Sequence, residues 1–155
     1  MASCLIVGGG VVGLSLAYEL ACRGWKVRVL ERQATGQEAS WAGAGILPPA
    51  NPVTAVHPLD RLRGLSFQLH AEWAERLRGE AGIDTEYRVC GGLYLARTAG
   101  EAASLHGMAA LLGEEQVAVE RLAIDQLSSQ EPQLRDVVEA GRLRAAYRLP
   151  DEAQL

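Results

Sequence analysis

A Gly8-x-Gly10-x-x-Gly13 turn directly after the apolar run Ser3-Cys4-Leu5-Ile6-Val7 constrains this chain more than any other feature. A short apolar run ended by glycines predicts a buried strand. From Val11 to Cys22 the apolar positions continue around a helix, closed by the cation Arg23 and the capping Gly24. Residues 25–30 alternate as a second strand that ends at Glu31. Strand, glycine turn, helix and strand in about 30 residues make a parallel βαβ unit. Gly8 permits the tight turn, Gly10 lets backbone approach a pyrophosphate, and Gly13 lets the helix pack on the strands. The amides of Val11 and Val12 then face a diphosphate at the positive end of the helix. Glu31, eighteen residues beyond Gly13, can accept both hydroxyls of an adenosine ribose and would repel a 2′-phosphate. The turn therefore predicts a dinucleotide site that disfavours NADP.

Bulk properties narrow the classes further. The 155 residues are 48% hydrophobic and 22% charged with a net charge of −4, enough to bury a core and too apolar for a disordered chain. The acidic balance argues against nucleic acid as a partner. Arg61, Arg63, Arg76 and Arg78 alternate with Asp60, Glu72 and Glu75 and read as a solvated helix face. Three distant cysteines, Cys4, Cys22 and Cys90, give neither metal spacing nor a disulfide framework, and fit a reducing compartment. Cys4 and Cys22, in apolar surroundings, are expected as buried thiols. No metal site is expected. The apolar stretch 5–20 lacks a cationic lead and is broken by glycines, so it reads neither as a leader peptide nor as a membrane span. A cytoplasmic protein is expected, with a homo-oligomer left open.

Residues 33–58 hold three glycines and four prolines without periodicity. Loops of that length inside compact domains are commonly functional, and the small-residue centre 40–45 favours function here. Leu62, Leu65, Leu69, Trp73 and Leu77 then mark one amphipathic helix that ends near Gly79. Beyond it, 86–90 and 93–97 read as strands around the Gly91-Gly92 turn, 102–112 as a helix and 117–120 as a strand. A short helix at 123–129 and a strand at 142–149 follow. This alternation suggests an α+β layer beginning near residue 84. The tail 150–155 offers no capping element, and one βαβ crossover does not complete a doubly wound sheet, so the chain reads as a truncated one. His57, His70 and His106 lack consistent partners, with His70 read as structural or exposed. Tyr87, Tyr94 and Tyr147 read as strand packing. No catalytic side chain is expected.

The opening 4–32, with Ala17 and Ala21 on the helix, Gly24 closing it and Glu31-Arg32 at the strand end, resembles the FAD-dependent D-amino-acid oxidase superfamily. NAD enzymes share the core of this motif. The segment Ser40-Trp41-Ala42-Gly43-Ala44-Gly45-Ile46-Leu47 resembles the flavin-side loop of its glycine oxidase and sarcosine oxidase branch. Gly82-Ile83-Asp84, Gly91-Gly92-Leu93-Tyr94-Leu95, Gln130-Glu131-Pro132 and Pro150-Asp151-Glu152 resemble landmarks of the glycine oxidase branch of thiamine-biosynthesis type. Trp41 and the extra prolines depart from the family pattern. The fold class implied is α/β: a Rossmann-like FAD-binding βαβ unit over 1–84 with the flavin-contacting loop 33–58, then the start of an α+β substrate domain over 85–155. The resemblance places Ala39 and Ser40 near the phosphates or ribityl chain, and Ala44, Gly45 and Ile46 along the flavin ring, Ile46 facing the substrate cavity. Together with Gly8, Gly10, Val11, Val12, Gly13, Glu31 and Arg32, these are the expected FAD contacts. It further implies oxidation of a small amine or amino acid, glycine or sarcosine in type, by hydride transfer to flavin N5 with O2 reduced to H2O2. The carboxylate-binding Arg and its companion Tyr would lie beyond Leu155, so this stretch alone is expected to be inactive. A FAD-dependent dehydrogenase passing electrons to a quinone, and a non-catalytic dinucleotide-binding fragment, remain as alternatives.

Overall fold

The computed structural model describes residues 2–155, and the chain divides into two compact units, 1–44 and 45–155. In the first, β1 (Ser3–Val7), α1 (Val11–Cys22) and β2 (Lys26–Leu30) form the expected parallel βαβ unit, in register from Ser3↔Lys26 to Val7↔Leu30. Gly8, at φ +106°, turns the chain out of β1. A Schellman arrangement ends α1: Gly24 N–H donates to Ala21 O at 2.9 Å and Trp25 N–H to Leu20 O at 3.0 Å, with Gly24 at φ +77°.

Burial in this unit departs from expectation. Of its described hydrophobic side chains only Ile6 is buried, while Leu5, Val7 and Leu30 stay exposed. Two strands and one helix leave the second sheet face and the outer edge of β1 uncovered, so strands patterned for two-sided cover do not receive it. The buried-thiol expectation is overturned as well: Cys4 on β1 is half-buried, and Cys22 at the end of α1 is exposed.

The second unit opens with β3 (Ile46–Leu47), inside the stretch read as loop. Helix α2 (Pro58–Ala81) begins earlier and ends later than its leucine spacing predicts. Pro58 suits the first helical turn, where its missing N–H has no partner to lose, and His57 caps it by accepting the Leu59 N–H at 3.2 Å. Gly79 stays helical, and Gly82, left-handed at φ +66°, makes the actual stop. Next come β4 (Arg88–Val89), β5 (Gly92–Ala96), α3 (Ala99–Glu114) and β6 (Glu120–Arg121). Then follow α4 (Ile124–Gln130), a 3-10 turn (Pro132–Leu134), α5 (Arg135–Glu139), β7 (Ala145–Leu149) and β8 (Ala153–Gln154). A capping box starts α3, with Thr98 Oγ1 on Glu101 N–H and the Glu101 carboxylate on Thr98 N–H.

The strands make two antiparallel three-stranded sheets, ordered β3-β8-β4 and β5-β7-β6. Thus β4 and β5 are not the hairpin that Gly91-Gly92 suggests; each pairs with a different strand. Gly92 faces Leu149 whereas Val89 faces Ala153, which sets two residues, Cys90 and Gly91, against three, Pro150 to Glu152. This β-bulge bends the ribbon from one sheet into the other. The tail, expected to lack a capping element, supplies β8, the central strand of its sheet.

Sheet β5-β7-β6 carries helices on both faces. Tyr94, Ala96, Ala145 and Tyr147 cluster with Ala102, Leu105 and Ala109 of α3. Leu95 and Ala146, one residue out of phase, cluster with Ile124 and Leu127 of α4 and Val137 and Val138 of α5. That is the period of two expected of strands. Among the described residues no helix is long and apolar enough to cross a membrane.

Leu127 is wholly buried and Leu62 is 61% exposed. Leu127→Ala is expected to cost about 2–5 kcal/mol through transfer and cavity terms, and Leu62→Ala less than about 0.5 kcal/mol. Urea midpoints of the two variants measure the difference.

Candidate functional site

The glycine turn is held from three sides. A Cβ on Gly13 would overlap the Gly8 carbonyl, so only glycine lets α1 lie this close to the turn. A Cβ on Gly10 would come 3.1 Å from Ser40 Oγ, and one on Gly9 would come 2.9 Å from Thr35 Cγ2 and 3.2 Å from Glu31 Cβ. Gly36 N–H donates to Gly9 O at 2.8 Å, and Gly8 N–H to Leu30 O at 2.8 Å. Loop 31–40 is therefore folded onto the turn, with Gly9 buried and Gly8 and Gly10 half-buried.

Glu31 stands at the end of β2 beside this turn. Its Oε2 accepts Gly9 N–H at 2.7 Å, and its Oε1 accepts Arg32 N–H at 2.6 Å and Gln33 N–H at 3.2 Å. These amides, Gly9 foremost, hold its carboxyl below the ordinary 4.5. Each carboxylate oxygen has two lone pairs, so Oε2 keeps an accepting position for a ribose hydroxyl. Arg32 pairs with Glu38 at 2.9 Å. Ser40 Oγ accepts the Val11 N–H at 2.9 Å, standing where an anion would meet the first helical amide. Val12 and Gly13, in the first turn, have no i−4 carbonyl to bond within α1. Ala39 and Ala44 are exposed.

In the second unit, Gly45 is left-handed at φ +70°, and a Cβ there would sit 2.6 Å from Leu155 O. Ile46, 58% exposed, begins β3. The expected contacts thus fall into two groups, each described in its own unit: 8, 10–13, 31, 32, 39, 40 and 44 in the first, 45 and 46 in the second.

Sequence reasoning missed Gly9 and the residues Thr35 and Gly36 that meet it, and Glu38, which pairs with Arg32. Three consecutive glycines at 8–10 were the available signal for Gly9. The histidines stay apart: His57 caps α2, and His106 meets Tyr147 edge-on with centroids 5.9 Å apart. His70 lines an apolar recess of about 300 Å³ with Leu47, Leu59, Leu62 and Phe67. Burial there lowers its pKa and favours the neutral ring. Arg63, Arg76 and Arg78 pair with Asp60, Glu80 and Asp84 along and beyond α2. Among the described residues no group of His, Cys, Asp and Glu could hold a metal ion.

Because the folded-state pKa of Glu31 is depressed, its contribution to stability is complete above 4.5 and lost as pH falls through the depressed value. Glu31→Gln is expected to flatten the acid dependence of Gly9 amide protection below that pH. Amide exchange followed by NMR across the acid range checks this.

The family model of FAD dependent oxidoreductases, DAO, matches residues 3–155. Glycine oxidase of Pseudomonas aeruginosa is 39% identical over 87 residues, which are 56% of this chain and 24% of that protein. The crystal structure of glycine oxidase from Geobacillus kaustophilus superposes with a TM-score of 0.84 at 33% identity, covering 97% of this chain and 39% of that one. Glycine oxidase from Bacillus cereus gives 0.84 at 29% identity over 99% and 39%. The chain therefore spans 24% of that curated relative and 39% of each of these solved chains. It belongs to the DAO family of FAD dependent oxidoreductases.

Proposed function

We propose that residues 8–13 and 31–40 hold the adenosine diphosphate half of FAD. In a full-length protein, working in the cytoplasm, the bound cofactor would serve oxidation of a small amine or amino acid, glycine or sarcosine in type. The observation that carries this reading is the glycine turn itself: Gly13 lets the helix end lie against the Gly8 carbonyl, and Glu31 is fixed beside the turn by three backbone amides. The turn also fits the group chemically. Positive helix-end amides suit a diphosphate, and a carboxylate suits ribose hydroxyls while repelling a 2′-phosphate.

When bound, FAD supplies the acceptor for the hydride leaving the substrate Cα–H, and O2 takes the two electrons onward to give H2O2. The protein's share is binding and orientation. Val12 and Gly13 would donate to phosphate oxygens, and Ser40, which accepts the Val11 N–H, would stand beside the same anion. Glu31 would accept a ribose hydroxyl on Oε2, with Arg32 and Ala39 flanking the cofactor. Ala44, Gly45 and Ile46 would border the flavin ring, with Ile46 toward the substrate cavity. Residues 1–84 form the cofactor-binding segment and 85–155 the beginning of the substrate domain. The thiamine-type landmarks at 82–84, 130–132 and 150–152 support thiamine biosynthesis as the setting.

Titrating the purified chain with FAD, and separately with ADP as competitor, tests the reading through quenching of flavin fluorescence. Glu31→Ala is expected to weaken binding roughly tenfold, the loss of one charge-assisted hydrogen bond. Gly10→Val should abolish binding by filling the phosphate approach. A folded chain that takes up neither FAD nor ADP would overturn it.

A further inference from the structure

Glu152 occupies the bend where the β4–β5 and β7–β8 connections cross between the two sheets. It is 7% exposed. Its carboxylate accepts the Tyr94 hydroxyl at 2.5 Å, and its backbone carbonyl accepts Cys90 N–H at 3.1 Å and Gly91 N–H at 2.8 Å. A Cβ on Gly92 would overlap that carboxylate, so the glycine makes the space it fills. Burial and the facing carboxylate push the Tyr94 hydroxyl up to about 12, which keeps the proton on the donor. A buried carboxylate is costly unless its partner is held in good geometry. An apolar side chain would fill the same bend without that requirement, so packing alone does not account for the pair.

Strand β8 leaves the bend directly after Glu152. Its Ala153 and Gln154 pair with Leu47 and Ile46, and Leu155 N–H donates to Gly45 O at 3.0 Å. The left-handed Gly45 lies against Leu155 with no room for a Cβ. A bulge re-aims the strand beyond it, and here that strand carries residues 45–47. We propose that Glu152 and Tyr94 form a positioning pair for residues 45–47, acting through β8 without touching the ligand. This rests on the reading that Gly45 and Ile46 border the flavin. On that reading, the position of the ring's neighbours is set from the bend that precedes β8.

The test is hydrogen exchange on the full 155-residue chain, alone and with FAD, in Tyr94→Phe, Glu152→Gln and Glu152→Ala. Tyr94→Phe and Glu152→Ala are expected to raise exchange at 45–47 and 153–155 roughly tenfold while leaving α3 and β2 unchanged. Glu152→Gln keeps an oxygen acceptor for the Tyr94 hydroxyl and should return exchange to within about twofold of the parent. The absorbance of bound flavin should shift in Tyr94→Phe and be restored in Glu152→Gln. Parent-like exchange at 45–47 in Tyr94→Phe would overturn the proposal. So would an increase spread evenly over β5, β7 and α3, or a Glu152→Gln variant as perturbed as Glu152→Ala. If the parent chain takes up no FAD, the flavin reading falls, and the exchange pattern still decides whether the pair positions 45–47.

Discussion

The close approach of α1 to the turn that precedes it is the constraint on which the first unit rests. Gly13 meets the Gly8 carbonyl where any side chain would collide, so the helix N-terminus lies against the end of β1. Everything useful about the turn stems from that contact. It places the positive end of the helix at the turn, where glycine backbone stands in place of side chains. It also sets Gly9 where the Glu31 carboxylate can take its amide. The carboxylate thus has two tasks, closing the turn from beneath and presenting a remaining lone pair beside it.

The second unit depends on a different device, a bend in one ribbon. Residues 88–96 and 145–154 run as a continuous antiparallel pair interrupted by a single extra residue. Without that residue β8 would extend the sheet β5-β7-β6. With it, β8 becomes the centre of another sheet and joins β3 to β4. The bend costs a buried carboxylate and a glycine, and both are accommodated at one point by Tyr94. Helices α3, α4 and α5 pack on the sheet before the bend, which gives that sheet two covered faces and the firmest core of the unit.

Local signals in the chain were legible where the physics is local. The strand, turn, helix and strand of the first unit can be read from glycine positions, a helix stop at Arg23-Gly24 and an acidic strand end. The capping pair Thr98 and Glu101 opens α3 close to its expected start. Where cover by other elements matters, the reading failed. The strands β1 and β2 are patterned for burial and remain largely open because each has one neighbour at most. Gly91-Gly92 has the composition of a hairpin turn and is a corner instead. A two-residue strand such as β3 or β8 has no periodicity to detect, since its existence depends on a partner distant in the chain.

By itself the sequence determined the βαβ unit, the glycine turn and the acidic residue that closes it, because each rests on steric and hydrogen-bonding needs within about 30 residues. It also carried the family resemblance in the same short stretches. The tertiary structure alone decided that Glu31 is bound by three backbone amides, that Ser40 meets the first amide of α1, and that the tail forms a central strand. The physical reason is the range of the contacts. A glycine's freedom belongs to its own backbone, whereas the pairing of Glu152 with Tyr94, 58 positions apart, exists only once two sheets have met at a bend.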